Sequence, residues 1–194
     1  MDEPDAVSAA VPVLDTLIEL GVPVAVGGSV ASSLYGQSRS TLDADLMADL
    51  RLGQVARFVT AMEPDYYLSV EAIREALAER TSFNLIHLGS MLKVDVFLPK
   101  QDPHDQEVLR RCRSLMLDEA GSIGPYPVAS PEDVILKKLD WYLAGHGVSD
   151  QQWRDVLSVV RLNREMLDRG YLRGWAERLG TLDLLDQVWS EAET

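Results

Sequence analysis

Cysteine is almost missing from this sequence: Cys112 is the only one in 194 residues. An internal disulfide is therefore excluded, and the reducing cytoplasm is the expected compartment. Arg110, Arg111 and Arg113 surround that thiol with positive charge but bring no catalytic partner, so a structural thiol is the simpler reading. Long apolar runs are missing too. No stretch approaches the roughly 20 residues needed to span a bilayer, and the acidic start Met1-Asp2-Glu3-Pro4-Asp5 lacks the basic region of a secretion signal. A soluble protein with no membrane partner is expected. Basic residues are scarce as well: 18 Lys and Arg stand against 31 Asp and Glu, a net charge of -13. Such a field repels polyanions and weighs against a dedicated nucleic-acid-binding module, while leaving room for a catalyst that meets RNA briefly. The histidines His87, His104 and His146 share no metal-ligand spacing. What remains, 46% apolar and 25% charged residues, is the composition of an ordinary globular protein long enough for one domain or two small ones.

Periodicity divides the chain into α+β and all-helical parts. Val11, Leu14, Leu17 and Ile18 recur at helical spacing before Gly21, and the apolar run Val22 to Val26 then predicts a buried strand leading into Gly27-Gly28. A helix over 30–35, a strand over 43–48 and helices over 52–62 and 70–79 follow. Strands are expected at 83–88 and 91–98, joined by a two-residue turn at Gly89-Ser90. In the second of these, Leu92, Val94, Val96 and Leu98 share one face, which sends Lys93 and Asp95 to the other. A short helix near 106–111 and strand pieces at 114–117 and 126–128 complete this part. At Ser130-Pro131-Glu132-Asp133 a serine cap, a proline and an acid mark a helix start, and helices over 131–144, 150–162, 171–179 and 182–190 are expected beyond it. The predicted architecture is α+β: a mixed-sheet core over 1–129, then a helical bundle over 130–194.

Asp43 and Asp45 are one residue apart on a strand, so both carboxylates leave the same side. Two negative charges that close are costly unless a cation lies between them. Few, hard oxygen ligands suit Mg²⁺, which completes its shell with water and phosphates; a solvated strand edge is the plainer reading of an isolated Asp-x-Asp. Gly27-Gly28-Ser29 sits where a buried strand turns into a helix. There the bare backbone and the helix N-terminus favour an anion, although a tight turn explains a lone glycine pair equally well. Arg39 has the planar fork that matches phosphate oxygens. Lys138 lies four residues after Val134 and four before Tyr142, inside the apolar arc of its helix, whereas its competitor Lys137 falls outside. A lysine so placed reaches an anion or snorkels to the edge. Asp155 reads either as a surface acid paired with Arg154 or as a site residue.

The ordered set Gly27-Gly28-Ser29, Gly36, Arg39, Thr41, Asp43-Ala44-Asp45 resembles the signature of the polymerase-beta-type nucleotidyltransferase superfamily. Asp95 stands where that family has a third carboxylate on a later strand. More specifically, Gly27-Gly28, Arg39-Ser40-Thr41 and Pro131-Glu132-Asp133 resemble small bacterial nucleotidyltransferases related to the AbiEii and MenT toxins, over about residues 22 to 180. The resemblance implies a nucleotidyltransferase core and a divalent ion, Mg²⁺ or Mn²⁺, on Asp43, Asp45 and Asp95. It implies a nucleoside triphosphate substrate gripped by Gly27, Gly28, Ser29, Arg39 and Thr41, with Lys138 and Asp155 contributing from the C-terminal helices. It implies transfer of a nucleoside monophosphate to a hydroxyl acceptor (a tRNA 3′ end, a protein or a small molecule), and a cognate antitoxin as partner. The competing reading is a non-catalytic nucleotide-binding or toxin–antitoxin interaction protein.

Overall fold

The computed structural model describes residues 5–100 and 102–193; the acidic start, Met1 to Pro4, lies outside them. The elements run α1 (Ala6–Glu19), β1 (Val24–Val26), α2 (Gly28–Tyr35), β2 (Asp43–Ala48), a 3-10 turn (Leu52–Gln54), α3 (Val55–Met62), β3 (Tyr66–Tyr67), α4 (Val70–Glu79), β4 (Ser82–His87), β5 (Lys93–Phe97), α5 (Pro103–Arg110), β6 (Arg113–Leu115), β7 (Tyr126–Val128), α6 (Pro131–Ala144), α7 (Asp150–Asn163), α8 (Arg169–Leu179) and α9 (Leu182–Ala192). This is the expected α+β order. No helix among the described residues is long and apolar enough to cross a membrane.

Two compact units emerge, one of Met1–Val30 with Ser40–Val128, the other of Ala31–Arg39 with Ala129–Thr194. The first is built on a seven-stranded sheet of order β3-β4-β5-β2-β1-β7-β6. It is mixed, because β2 runs parallel to β5 and β1 parallel to β7 while the remaining pairs are antiparallel. Along β2 and β5 burial alternates strictly: Ala44, Leu46, Val94 and Val96 are wholly buried, and Asp43, Asp45, Lys93 and Asp95 between them are not. The buried face packs against α1, whose Val13, Leu14 and Leu17 are fully enclosed. From α3, Phe58 meets Phe83 of β4 edge-on with ring centroids 6.1 Å apart. The Tyr66 hydroxyl donates to the Ala9 carbonyl at 2.7 Å, and burial, helped by the charge of Asp65, pushes its pKa to about 12.

The β4–β5 connection departs from the expected two-residue turn. Pairing ends at Ile86 with Lys93, the His87 N–H donates to the Leu92 carbonyl, and Met91 takes a left-handed φ of 60°. A longer loop results, pinned by the His87 ring against the Ser90 hydroxyl at 2.8 Å. Propensity at Gly89-Ser90 is outweighed by the register of β4 on β5, which keeps Phe83 opposite Val96 and both side chains in the core.

The second unit packs α6 to α9 around Leu136, Leu139, Val159, Leu172 and Leu185, all fully buried. Upstream residues belong to it as well: Tyr35 packs on this cluster, and its carbonyl accepts from Asn163 Nδ2 at 2.7 Å. The Ser130-Pro131-Glu132-Asp133 start is structural. Ser130 caps α6, the Tyr171 hydroxyl donates to Asp133 at 2.6 Å, and Glu132 accepts from the Asp168 N–H at 3.0 Å, so two buried acids tie α6 to the start of α8.

Candidate active site

The first unit gathers the acids through sheet register alone. Asp43 is paired with Lys93 and Asp45 with Asp95 in the parallel β2–β5 ladder. Register partners project to the same face, and neighbouring strands lie about 4.8 Å apart, so Asp43, Asp45 and Asp95 stand over one small area of the sheet. Their shared face is the one opposite the buried Ala44, Leu46, Val94 and Val96. Asn84, the antiparallel partner of Asp95, extends this polar row onto β4. It went unnoticed in the sequence, although Ser82 and Asn84 alternate with the buried Phe83 and Leu85.

Gly28 completes the arrangement. It opens α2 with φ of +53°, and a Cβ placed on it would fall on the Asp45 carboxylate, 2.5 Å from its Cγ. Only glycine lets the first turn of α2 approach that carboxylate so closely. The glycine pair does not act as a unit, however. The Gly27 N–H donates to the Asp45 carbonyl at 2.8 Å, extending the β1–β2 ladder, and so is not an open donor for an anion. The helix begins at Gly28 rather than near Val30, which places Gly28 and Ser29 in its first turn, where N–H groups have no intrahelical acceptor. Thr41 turns toward protein: its hydroxyl donates to Asp43 Oδ1 at 2.9 Å and orients that carboxylate.

Lys93 lies on the same face. Its ammonium donates to Asp95 at 2.7 Å. That hydrogen bond raises its pKa against partial burial, with the charges of Asp95, Asp43 and Asp45 adding to the rise. The three acids share a face but are not drawn into a preassembled cluster. Among the described residues no group of three or more His, Cys, Asp or Glu is arranged to hold a metal ion. Mutual repulsion and the turn of Asp95 to Lys93 account for this. The donor set, carboxylates alone on adjacent strands with waters and phosphates free to join, fits a small hard divalent ion.

Arg39, Lys138 and Asp155 form a cluster within the second unit. Asp155 is buried and accepts from Arg39 Nε at 3.1 Å and Nη2 at 2.9 Å, from Lys138 Nζ at 2.8 Å and from Gln151 Nε2 at 2.9 Å. Burial alone would raise its pKa, but the bonds from Arg39, Lys138 and Gln151 and the charge of Lys138 prevail and hold it at about 2. Its charged partners thus come from distant positions, Gln151 joins from one turn away on α7, and the adjacent Arg154 turns to Gln151 instead. Two of the Arg39 donors are committed to Asp155, which fixes the orientation of that guanidinium.

Two outcomes follow. Gly28→Ala should lower stability in a urea melt by about 1–3 kcal/mol, since a left-handed backbone and a displaced Asp45 carboxylate are both imposed; an unchanged midpoint would refute the close approach. Asp155→Ala should cost about 3–5 kcal/mol by stranding the buried Lys138, and Lys138→Met less, because Arg39 and Gln151 still hold the carboxylate. As the folded pKa of Asp155 lies below its usual 3.8, its contribution is complete above pH 4 and disappears as pH falls toward 2. Stability measured against pH should lose that acid limb in Asp155→Ala.

The fold has solved counterparts. An antigenic nucleotidyltransferase-like protein from Paracoccidioides brasiliensis matches 94% of this chain and 92% of its own at 17% identity, with a TM-score of 0.54. The antibiotic-resistance factor ANT(2'')-Ia matches 93% of this chain and 96% of its own at 15% identity, with a TM-score of 0.56. No protein-family model and no curated protein matches the sequence. At these identities the likeness is one of fold: the chain has the mixed-sheet architecture of nucleotidyltransferase-like proteins, followed by a helical bundle.

Proposed function

We propose that the chain is a metal-dependent nucleotidyltransferase that moves a nucleoside monophosphate from a nucleoside triphosphate to a hydroxyl acceptor. The observation that carries this reading is the convergence of Asp43, Asp45 and Asp95 on one sheet face beside the close approach of Gly28. Those three side chains would hold Mg²⁺ or Mn²⁺, which when bound supplies charge neutralisation for the phosphates and a template for in-line attack. Gly28 and Ser29, in the first turn of α2, present N–H groups to the outer phosphates. Thr41 keeps Asp43 facing the site. Asp95 accepts the proton of the acceptor hydroxyl as its oxygen bonds to the α-phosphorus; the bond from that phosphorus to the bridging oxygen breaks, and pyrophosphate leaves. For that role Asp95 must part from Lys93, whose ammonium is then placed to meet phosphate oxygens.

The acceptor is proposed from resemblance alone. The AbiEii- and MenT-like motifs favour a tRNA 3′ end and a cognate antitoxin as partner, while a protein side chain or a small hydroxylated molecule fits the same chemistry. Incubating the protein with labelled nucleoside triphosphates, Mg²⁺ and total cell extract identifies the acceptor class from the labelled product. Asp43→Ala and Asp45→Ala should each lower transfer at least about 10³-fold, the loss of several kcal/mol of charge stabilisation. Full transfer by both variants would sink the proposal.

A further inference from the structure

The carboxylate face of the first unit does not end at β5. In the antiparallel β4–β5 ladder Ile86 is the partner of Lys93, and in the β3–β4 ladder Tyr67 is the partner of Ile86. Register partners leave the same face, so Tyr67, Ile86, Lys93 and Asp43 form one row across four strands. Asn84, Asp95 and Asp45 form the next row along. On the opposite face of β3 and β4, Tyr66, Phe83 and Leu85 are buried. The face carrying the two rows is open over these strands: Ser82 and Asn84 are exposed, Ile86 is half-buried and Tyr67 is 64% exposed. A lone exposed tyrosine on an edge strand is ordinary. This one is set by register on the same face as the three acids.

The sheet order β3-β4-β5-β2-β1 puts this strip and Gly28 on opposite sides of the acids. Gly28 reaches the Asp45 carboxylate from the β1 side, and the strip begins on β4, beyond Asp95. In-line transfer needs the attacking hydroxyl and the leaving pyrophosphate on opposite sides of the transferring phosphorus. With the outer phosphates at the first turn of α2, the attacking side is that of β4 and β3. The strip is also neutral. Tyr67, Ser82, Asn84 and Ile86 are its side chains, and neither β3 nor β4 contains Lys or Arg, so neither strand answers the phosphates of a nucleic-acid acceptor. A tyrosine ring and an aliphatic side chain beside a carboxamide match instead a ring with an apolar face and a polar edge. We propose that the acceptor is a small uncharged hydroxyl compound whose ring lies against Tyr67 and Ile86, with Asn84 bonding its polar edge and its hydroxyl delivered to Asp95. β3 lies two strand spacings, about 10 Å, from β5, a span that one small molecule covers. The inference rests on the nucleotidyl-transfer reading and names the substrate class of that site.

The test uses the full chain, Mg²⁺ and nucleoside triphosphates labelled in the α-phosphate, with a cell extract divided by ultrafiltration into small molecules and a retained fraction of RNA and protein. Label is expected in a product from the small-molecule fraction that carries no charge beyond that of the added nucleotide. Tyr67→Ala should raise the amount of that fraction needed for half-maximal transfer about tenfold or more. The maximal rate and the dependence on nucleoside triphosphate should stay close to the parent's, and Tyr67→Phe, which keeps the ring, should restore half-saturation. Because Tyr67 is exposed on an edge strand, both variants should keep the parent circular dichroism spectrum. Label found only in RNA or protein, or in a more highly charged small product, overturns the proposal and leaves nucleotidyl transfer standing. Parental half-saturation in Tyr67→Ala overturns it in the same way. Absence of label from both fractions with the parent chain removes the nucleotidyl-transfer reading itself, and the proposal with it.

Discussion

The arrangement of the candidate site rests on the parallel pairing of β2 with β5. Because side chains alternate faces with a period of two, this ladder decides at once that Asp45 lies beside Asp95 and that Leu46 and Val96 lie in the core. A slip of one residue would bury the acids and expose the apolar row, so the hydrophobic effect fixes the register. The carboxylates are brought together by forces that have nothing to do with them. The core supplies the free energy, and the site uses the position it defines.

Two groups of acids in this chain meet the cost of close negative charge in different ways. Asp155 is buried and saturated: an arginine, a lysine and a carboxamide hold it ionised, and the cluster ties α7 to α6 and to the segment after α2. Asp43, Asp45 and Asp95 lie on a more open face, where the Lys93 ammonium bonds Asp95 and feels the charge of all three. The first group is satisfied by protein alone and acts as a structural brace. The second gathers three carboxylates on adjacent strands, the donor set that a small hard divalent ion takes.

Much of this was legible in the sequence. The alternation of Ala44, Leu46, Val94 and Val96 with the acids gave both strands and their faces, since a half-buried strand is the one element whose period cannot be mistaken once both rows are apolar and polar. Ser130-Pro131 located the start of α6 because capping chemistry is local. Long-range partners were not legible. The bond from Gly27 to the Asp45 carbonyl depends on the β1–β2 pairing, and the choice of Arg39 and Lys138 as partners of Asp155 depends on how α6 and α7 pack. Lys93 was placed on the polar face, but its neutralising role needed the register that sets it opposite Asp43. Association of residues 31–39 with the C-terminal helices was hidden for the same reason, as Tyr35 and Gln37 find their partners more than a hundred positions away.

The central claim is that this carboxylate face binds a divalent ion, and Mn²⁺ titration followed by electron paramagnetic resonance reads it directly. The account predicts saturable loss of the free-ion signal with the parent chain, affinity at least about tenfold weaker in Asp45→Asn, and tighter binding in Lys93→Met, where the competing ammonium is gone. Equal Mn²⁺ affinity in the parent chain and Asp45→Asn would contradict it.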